Sequence, residues 1–160
     1  MQRLVSQLQY FKPAHLLVVG DLFHSTDNKE HALFLKWRKD LARISIQLVK
    51  GNHDILEKDW YHRAGIDVHD EELQVNRFLF THDIEICKTT GHDYCFSGHI
   101  HPGIKMNGLG RQSIQLPCFY FGKKYAVLPA FGKFTGTHSV KPGSGDHVFA
   151  IVEGKVMKIY

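Results

Sequence analysis

His15-Leu16-Leu17-Val18-Val19-Gly20-Asp21 is an apolar run that stops at a glycine and a carboxylate. Because it does not alternate with polar residues, it predicts a buried strand covered on both faces. The pattern returns at Ser45-Ile46-Gln47-Leu48-Val49, which runs through Lys50 into Gly51-Asn52-His53-Asp54. Upstream, residues 1–11 predict a helix with Leu4, Leu8 and Phe11 on one face, stopped by Pro13. Residues 28–43 predict a second helix, with Ala32, Leu35 and Trp37 among its apolar positions and Asn28 as its cap. Helix and strand alternate, and polar loops follow the C-terminal strand ends. In open α/β sheets ligands bind at that edge.

The remaining sequence changes character. Short apolar or alternating runs at 73–75, 78–80, 94–97, 103–106, 113–120, 125–128, 148–152 and 156–160 are separated by Gly, Pro and Asn. They predict a second, strand-rich sheet. The fold class expected is therefore α/β, with two packed mixed β-sheets flanked by helices on the N-terminal side. With no repeat, linker or low-complexity tract, residues 1–160 read as a single domain.

Composition narrows the function classes. An apolar fraction of 43% and a charged fraction of 22% are ordinary for a globular protein. No apolar run approaches the roughly 18 residues of a membrane span, and the N-terminus lacks the pattern of a signal peptide. The three cysteines, Cys87, Cys95 and Cys118, are odd in number and lack CxxC spacing, which predicts reduced thiols and a cytoplasmic setting. Charge is unevenly divided: residues 1–102 hold 12 Lys and Arg against 14 Asp and Glu, and residues 103–160 hold 8 against 2. A basic C-terminal third suits a polyanionic partner, and it equally suits lysines scattered over solvated strand faces.

The twelve histidines carry the chemistry, since many stand beside Gly or Asp. Two divalent cations acting on a phosphate ester need hard oxygen and borderline nitrogen ligands around a shared carboxylate. Asp21, after a strand and a turn-permitting glycine, is the bridging candidate. Asn52 offers an amide oxygen, and Gly51 before it keeps the backbone open. In Gly98-His99-Ile100-His101, the spacing of two on an extended segment would place both imidazoles on one face. His82, after Phe78-Leu79-Phe80-Thr81, completes the metal set of Asp21, Asn52, His82, His99 and His101. His53 is the candidate to donate a proton to the leaving oxygen or to hold a phosphoryl oxygen, since imidazole titrates near neutral pH. Asp54 would orient it by accepting from the other ring nitrogen, or cap the following turn, and both could hold at once.

Gly20-Asp21, Gly51-Asn52-His53-Asp54, a histidine after a later strand and Gly98-His99-Ile100-His101 resemble, in that order, the calcineurin-like metallophosphoesterase superfamily. Gly20-Asp21-Leu22-Phe23-His24-Ser25 looks like the corresponding motif of its nuclease branch. Trp37-Arg38, Gly98-His99-Ile100-His101-Pro102-Gly103, Arg111-Gln112, Leu116-Pro117-Cys118-Phe119 and Leu128-Pro129-Ala130-Phe131-Gly132 are similar to the ligase-associated DNA damage response phosphoesterases. This resemblance implies manganese-dependent phosphodiesterase or endonuclease activity in DNA repair, with a DNA ligase and a helicase-like protein as partners. Superfamily members begin with an Asp-x-His motif on a first strand, whereas residues 1–20 contain no Asp or Glu. The expectation is an N-terminally incomplete domain lacking that first strand, with an exposed sheet edge prone to association. One metal would then keep Asp21, Asn52, His82 and His99, and the other only Asp21 and His101, so one site is expected to be well occupied and activity to be weak.

Three functions compete on these residues: phosphodiester hydrolysis, on DNA by resemblance; a small-molecule phosphodiesterase or phosphatase; and a non-catalytic module that keeps the fold as a scaffold. A scaffold has no chemical need for His53, Asp54, His99 and His101 together, and all four are present.

Overall fold

The computed structural model describes residues 2–23, 29–88, 92–132 and 135–160. His24 and Ser25 of the Asp21 motif and the expected cap Asn28 lie outside them. The chain divides into two compact units, residues 1–70 and 71–160. It is mixed α/β with two sheets, one in each unit.

The first unit runs α1 (Gln2–Phe11), β1 (His15–Val19), α2 (Lys29–Asp40), β2 (Ser45–Val49), α3 (Lys58–Arg63) and β3 (Ile66–His69). Its sheet has the order β1-β2-β3 and is parallel throughout, with Val18 opposite Leu48 and Leu48 opposite Val68. The expectation of a mixed sheet is corrected here, because each strand is reached through a helix or turn that returns the chain in the same direction. The central strand carries the core: Ile46, Leu48 and Val49 are buried, each contributing about 1.5–3 kcal/mol of apolar burial. The strand expected to be covered on both faces is instead half-buried in β1, whose only strand neighbour among the described residues is β2.

Helix faces also differ in detail. In α1, Leu8 is buried and Leu4 and Val5 are half-buried, whereas Phe11 is exposed. At its end Lys12 takes a left-handed φ of 46° and its N–H bonds the Leu8 carbonyl, so the chain turns before Pro13. In α2 the buried positions are His31 and Phe34, with Leu35 and Trp37 half-buried and Ala32 exposed. This helix ends at Asp40, not at residue 43. Neither α3 nor β3 was expected, and both are too short to show a period.

The second unit contains β4 (Glu72–Val75), β5 (Phe78–Thr81), a short 3₁₀ turn (Ile86–Lys88), β6 (Tyr94–Ser97), β7 (Pro102–Asn107), β8 (Ser113–Phe121), β9 (Tyr125–Val127), β10 (His138–Ser139), β11 (His147–Val152) and β12 (Lys155–Lys158). They form one sheet of order β10-β7-β8-β9-β6-β5-β4, with β11 on β8 and β12 on β11. Parallel β5–β6 and β6–β9 pairs stand beside antiparallel hairpins, so this sheet is mixed as expected. Cys87 and Cys95 form a disulfide with Cα atoms 5.6 Å apart, and Cys118 is free and buried. Reduced thiols were expected for all three. Their sequence spacing conceals that the 3₁₀ turn brings Cys87 over β6. No helix among the described residues is long and apolar enough to cross a membrane.

Candidate metal centre

In the first unit the site residues occupy two loops at the C-terminal ends of β1 and β2. Gly20 and Asp21 both take left-handed φ angles, 79° and 54°, which reverse the chain directly after the strand. Asparagine and aspartate tolerate that region better than most residues. The turn is held by Asp54, a carboxylate that is 1% exposed. One oxygen, Oδ2, accepts N–H bonds from Asp21 at 2.7 Å and Gly51 at 2.9 Å. The other, Oδ1, accepts from Leu22 at 2.8 Å and Phe23 at 3.1 Å. A carboxylate has about four acceptor sites, and backbone donors fill them. Asp54 was expected to orient the His53 ring; the four bonds it accepts here come from backbone N–H groups, and through them this carboxylate builds the loop that presents Asp21.

The Asp21 side chain is tied into the second loop, where its Oδ1 accepts the His53 N–H at 3.0 Å. Gly51 is required by the same closeness. A Cβ there would run into the Asp21 carboxylate and lie 2.5 Å from the Asp21 nitrogen. Asn52 and His53 project from this turn as exposed side chains. Downstream, Phe23 pins the loop to the core, edge-on to Phe34 at 5.3 Å and to Trp60 at 5.0 Å.

In the second unit His82 follows β5 and His99 follows β6. The strands are parallel and adjacent, with Thr81 opposite Ser97, so the residues just beyond them meet. His99 Nδ1 lies 3.0 Å from His82 Nε2, with the rings at 76°. His82 is buried and His99 exposed. The extended segment expected to align His99 and His101 is absent: both have left-handed φ, 62° and 51°, and the chain bends between them. What joins His99 to a second imidazole is strand adjacency, and its partner is His82. His101 stands half-buried at the start of β7, its carbonyl accepting the His138 N–H at 2.9 Å.

The donors suit a divalent cation. Two ligands about 2.1 Å from one ion at a right angle lie about 3.0 Å apart, which matches the His82–His99 nitrogens. Imidazole nitrogens are borderline ligands that suit zinc, iron and related metals, and carboxylates add the harder cations such as manganese and magnesium.

A family profile described as calcineurin-like phosphoesterase matches residues 1–86, taking in Asp21, the Gly51–Asp54 turn and His82. No match was found among curated proteins. Among solved structures, the chain is similar to the crystal structure of Pseudomonas putida nuclease MPE, with 28% sequence identity and a TM-score of 0.83, over 99% of this chain and 76% of that one. With a profile covering more than half of its length and this fold, the chain belongs to the calcineurin-like phosphoesterase family.

Proposed function

We propose that the chain hydrolyses phosphodiester bonds with a divalent metal ion, manganese by family resemblance, and that its substrate is DNA in a repair setting. The observation that supports this best is the 3.0 Å approach of the His82 and His99 nitrogens, which is also a hydrogen-bond distance, since two imidazoles converging at strand ends offer a ligand pair. Asp21, Asn52, His82 and His99 would hold one ion, and Asp21 with His101 a second, weaker one. When bound, the metal supplies charge neutralisation at the phosphoryl oxygens and an acidified water. The residues do the rest. Asp54 keeps Asp21 in its left-handed turn through four N–H bonds. His53, exposed on its turn, donates a proton to the leaving oxygen. Residues 1–160 act in this reading as one metallophosphoesterase domain, in the cytoplasm, with a DNA ligase and a helicase-like protein as partners.

The test compares manganese-dependent turnover of an aryl phosphodiester, an aryl phosphomonoester and single-stranded DNA. Diester and DNA cleavage, abolished in His99→Ala, is the expected result. Diester cleavage without DNA cleavage would turn the reading to a small-molecule phosphodiesterase. No hydrolysis of any of the three by metal-loaded protein would leave a binding module.

A further inference from the structure

The second unit carries a feature that hydrolysis at a metal centre does not use. Strand β7 begins at Pro102, next to His101, and pairs with β8 through Gly103–Pro117, Lys105–Gln115 and Asn107–Ser113. β10 borders β7 only at its first two residues, and β9 and β11 meet β8 only from Cys118 onward. Residues 104–116 thus form a two-stranded ribbon with no third strand on either edge among the described residues. Every residue from Lys105 to Gln115 is exposed.

The ribbon has two unlike faces, because directly paired residues share a face and neighbours along a strand alternate. Ile104, Leu116, Met106 and Ile114 line one face, leading to Leu109, which is 94% exposed at the tip. Lys105, Gln115, Asn107 and Ser113 line the other. The tip is closed by a bond from the Gly108 N–H to the Gln112 carbonyl and by Gly110 at φ 69°, with Arg111 beside it. A concavity of about 550 Å³ opens between Met106, Asn107, Gly108, Gln112, Ser113 and Ile114.

Charge selects the occupant. Residues 94–145 contain Lys105, Arg111, Lys123, Lys124, Lys133 and Lys141 and no Asp or Glu. Gln115 on this face already donates to the Thr137 carbonyl and hydroxyl, both at 2.9 Å, and the Lys105 cation, the Asn107 amide and the Ser113 hydroxyl are the donor types that contact phosphates and base edges. A two-stranded ribbon also has the width that a nucleic-acid major groove admits. Its aliphatic tip can pack against bases, as apolar wedges do. We propose that residues 104–116 are a nucleic-acid-binding arm, with Lys105 and Arg111 on phosphates and Leu109, Met106 and Ile114 against bases. This inference rests on the phosphodiester reading above and adds the means by which a polymer is held. From Ile104 to Asn107 the strand reaches about 10 Å, about three nucleotide steps at 3.4 Å each.

The test is anisotropy binding of a labelled 20-nucleotide DNA across a salt series, together with aryl phosphodiester turnover of the same proteins. Lys105→Ala/Arg111→Ala should weaken binding roughly tenfold and lower the salt slope by about two, and Leu109→Ser should weaken it without changing the slope. Aryl diester turnover and melting temperature should stay as in the unaltered protein. DNA affinity unchanged in both variants would overturn the proposal. So would sedimentation showing a dimer that Leu109→Ser converts to monomer while DNA affinity holds, since the ribbon would then bind a second copy. If the unaltered protein binds DNA but hydrolyses nothing, the catalytic reading fails, and loss of binding in the variants still supports the arm.

Discussion

A buried carboxylate that takes four backbone N–H bonds holds Asp21, Leu22, Phe23 and Gly51 in one arrangement. Asp54→Asn keeps the shape but turns an NH₂ group toward two of those donors. Leaving two buried or part-buried donors unpaired costs about 1–3 kcal/mol each, so urea unfolding should show a loss of roughly 2–6 kcal/mol. Gly51→Ala acts on the same contact from the other side. Its Cβ meets the Asp21 carboxylate, so Asp21 must move. The expected outcome is metal affinity and turnover reduced at least tenfold, with a smaller loss of stability, read by calorimetric metal titration. At this scale Gly20, Asp21 and the Gly51–Asp54 turn were legible, because glycine next to a ligand type at a strand end is a local signal. The duty of Asp54 was not, since its partners Asp21 and Leu22 lie 33 and 32 residues away.

At the scale of elements, burial sets two titrations. Tyr61 of α3 is pushed up to about 12, first by burial and then by the negative charge of Asp54. Burial alone pushes the Cys118 thiol of β8 up to about 11. Both folded-state values lie above the ordinary 10.0 and 9.0, so the folded state holds these protons more tightly than the unfolded chain. Stability is therefore intact below about pH 9 and is lost as pH rises, through Cys118 between 9 and 11 and through Tyr61 between 10 and 12. Urea midpoints recorded from pH 7 to 11 should fall only above 9, and Cys118 should resist alkylation at pH 8 until urea is added. Strands β2 and β6 match their expected bounds, 45–49 and 94–97. Their apolar runs are bounded by polar or glycine residues. Helix α3, with six residues, and β10, with two, carry no such pattern. They exist because Tyr61 packs into the first unit's core and His138 finds the edge of β7.

For the whole molecule, the measurable consequence of a metal site is linkage. A ligand that binds only the folded state at 100 times its Kd adds about 2.7 kcal/mol, or roughly 5–10 °C in a chain of this length. Manganese should raise the melting temperature by that amount and a chelator should reverse it, whereas His82→Ala should abolish the response. Charge is also distributed on this scale, with the acid-free stretch of residues 94–145 falling wholly in the second unit.

The sequence by itself determined the α/β class, the helices confined to the N-terminal part, most strand positions and the residue types at the strand ends. All of these are set by neighbours within a few positions. Only the tertiary structure decided that strand adjacency, not an extended alignment with His101, brings His99 to His82, that Asp54 serves Asp21, and that Cys87 bonds Cys95. Each of these joins residues brought together by sheet register or chain reversal, and a distance of 17 residues from His82 to His99 leaves no trace in local periodicity.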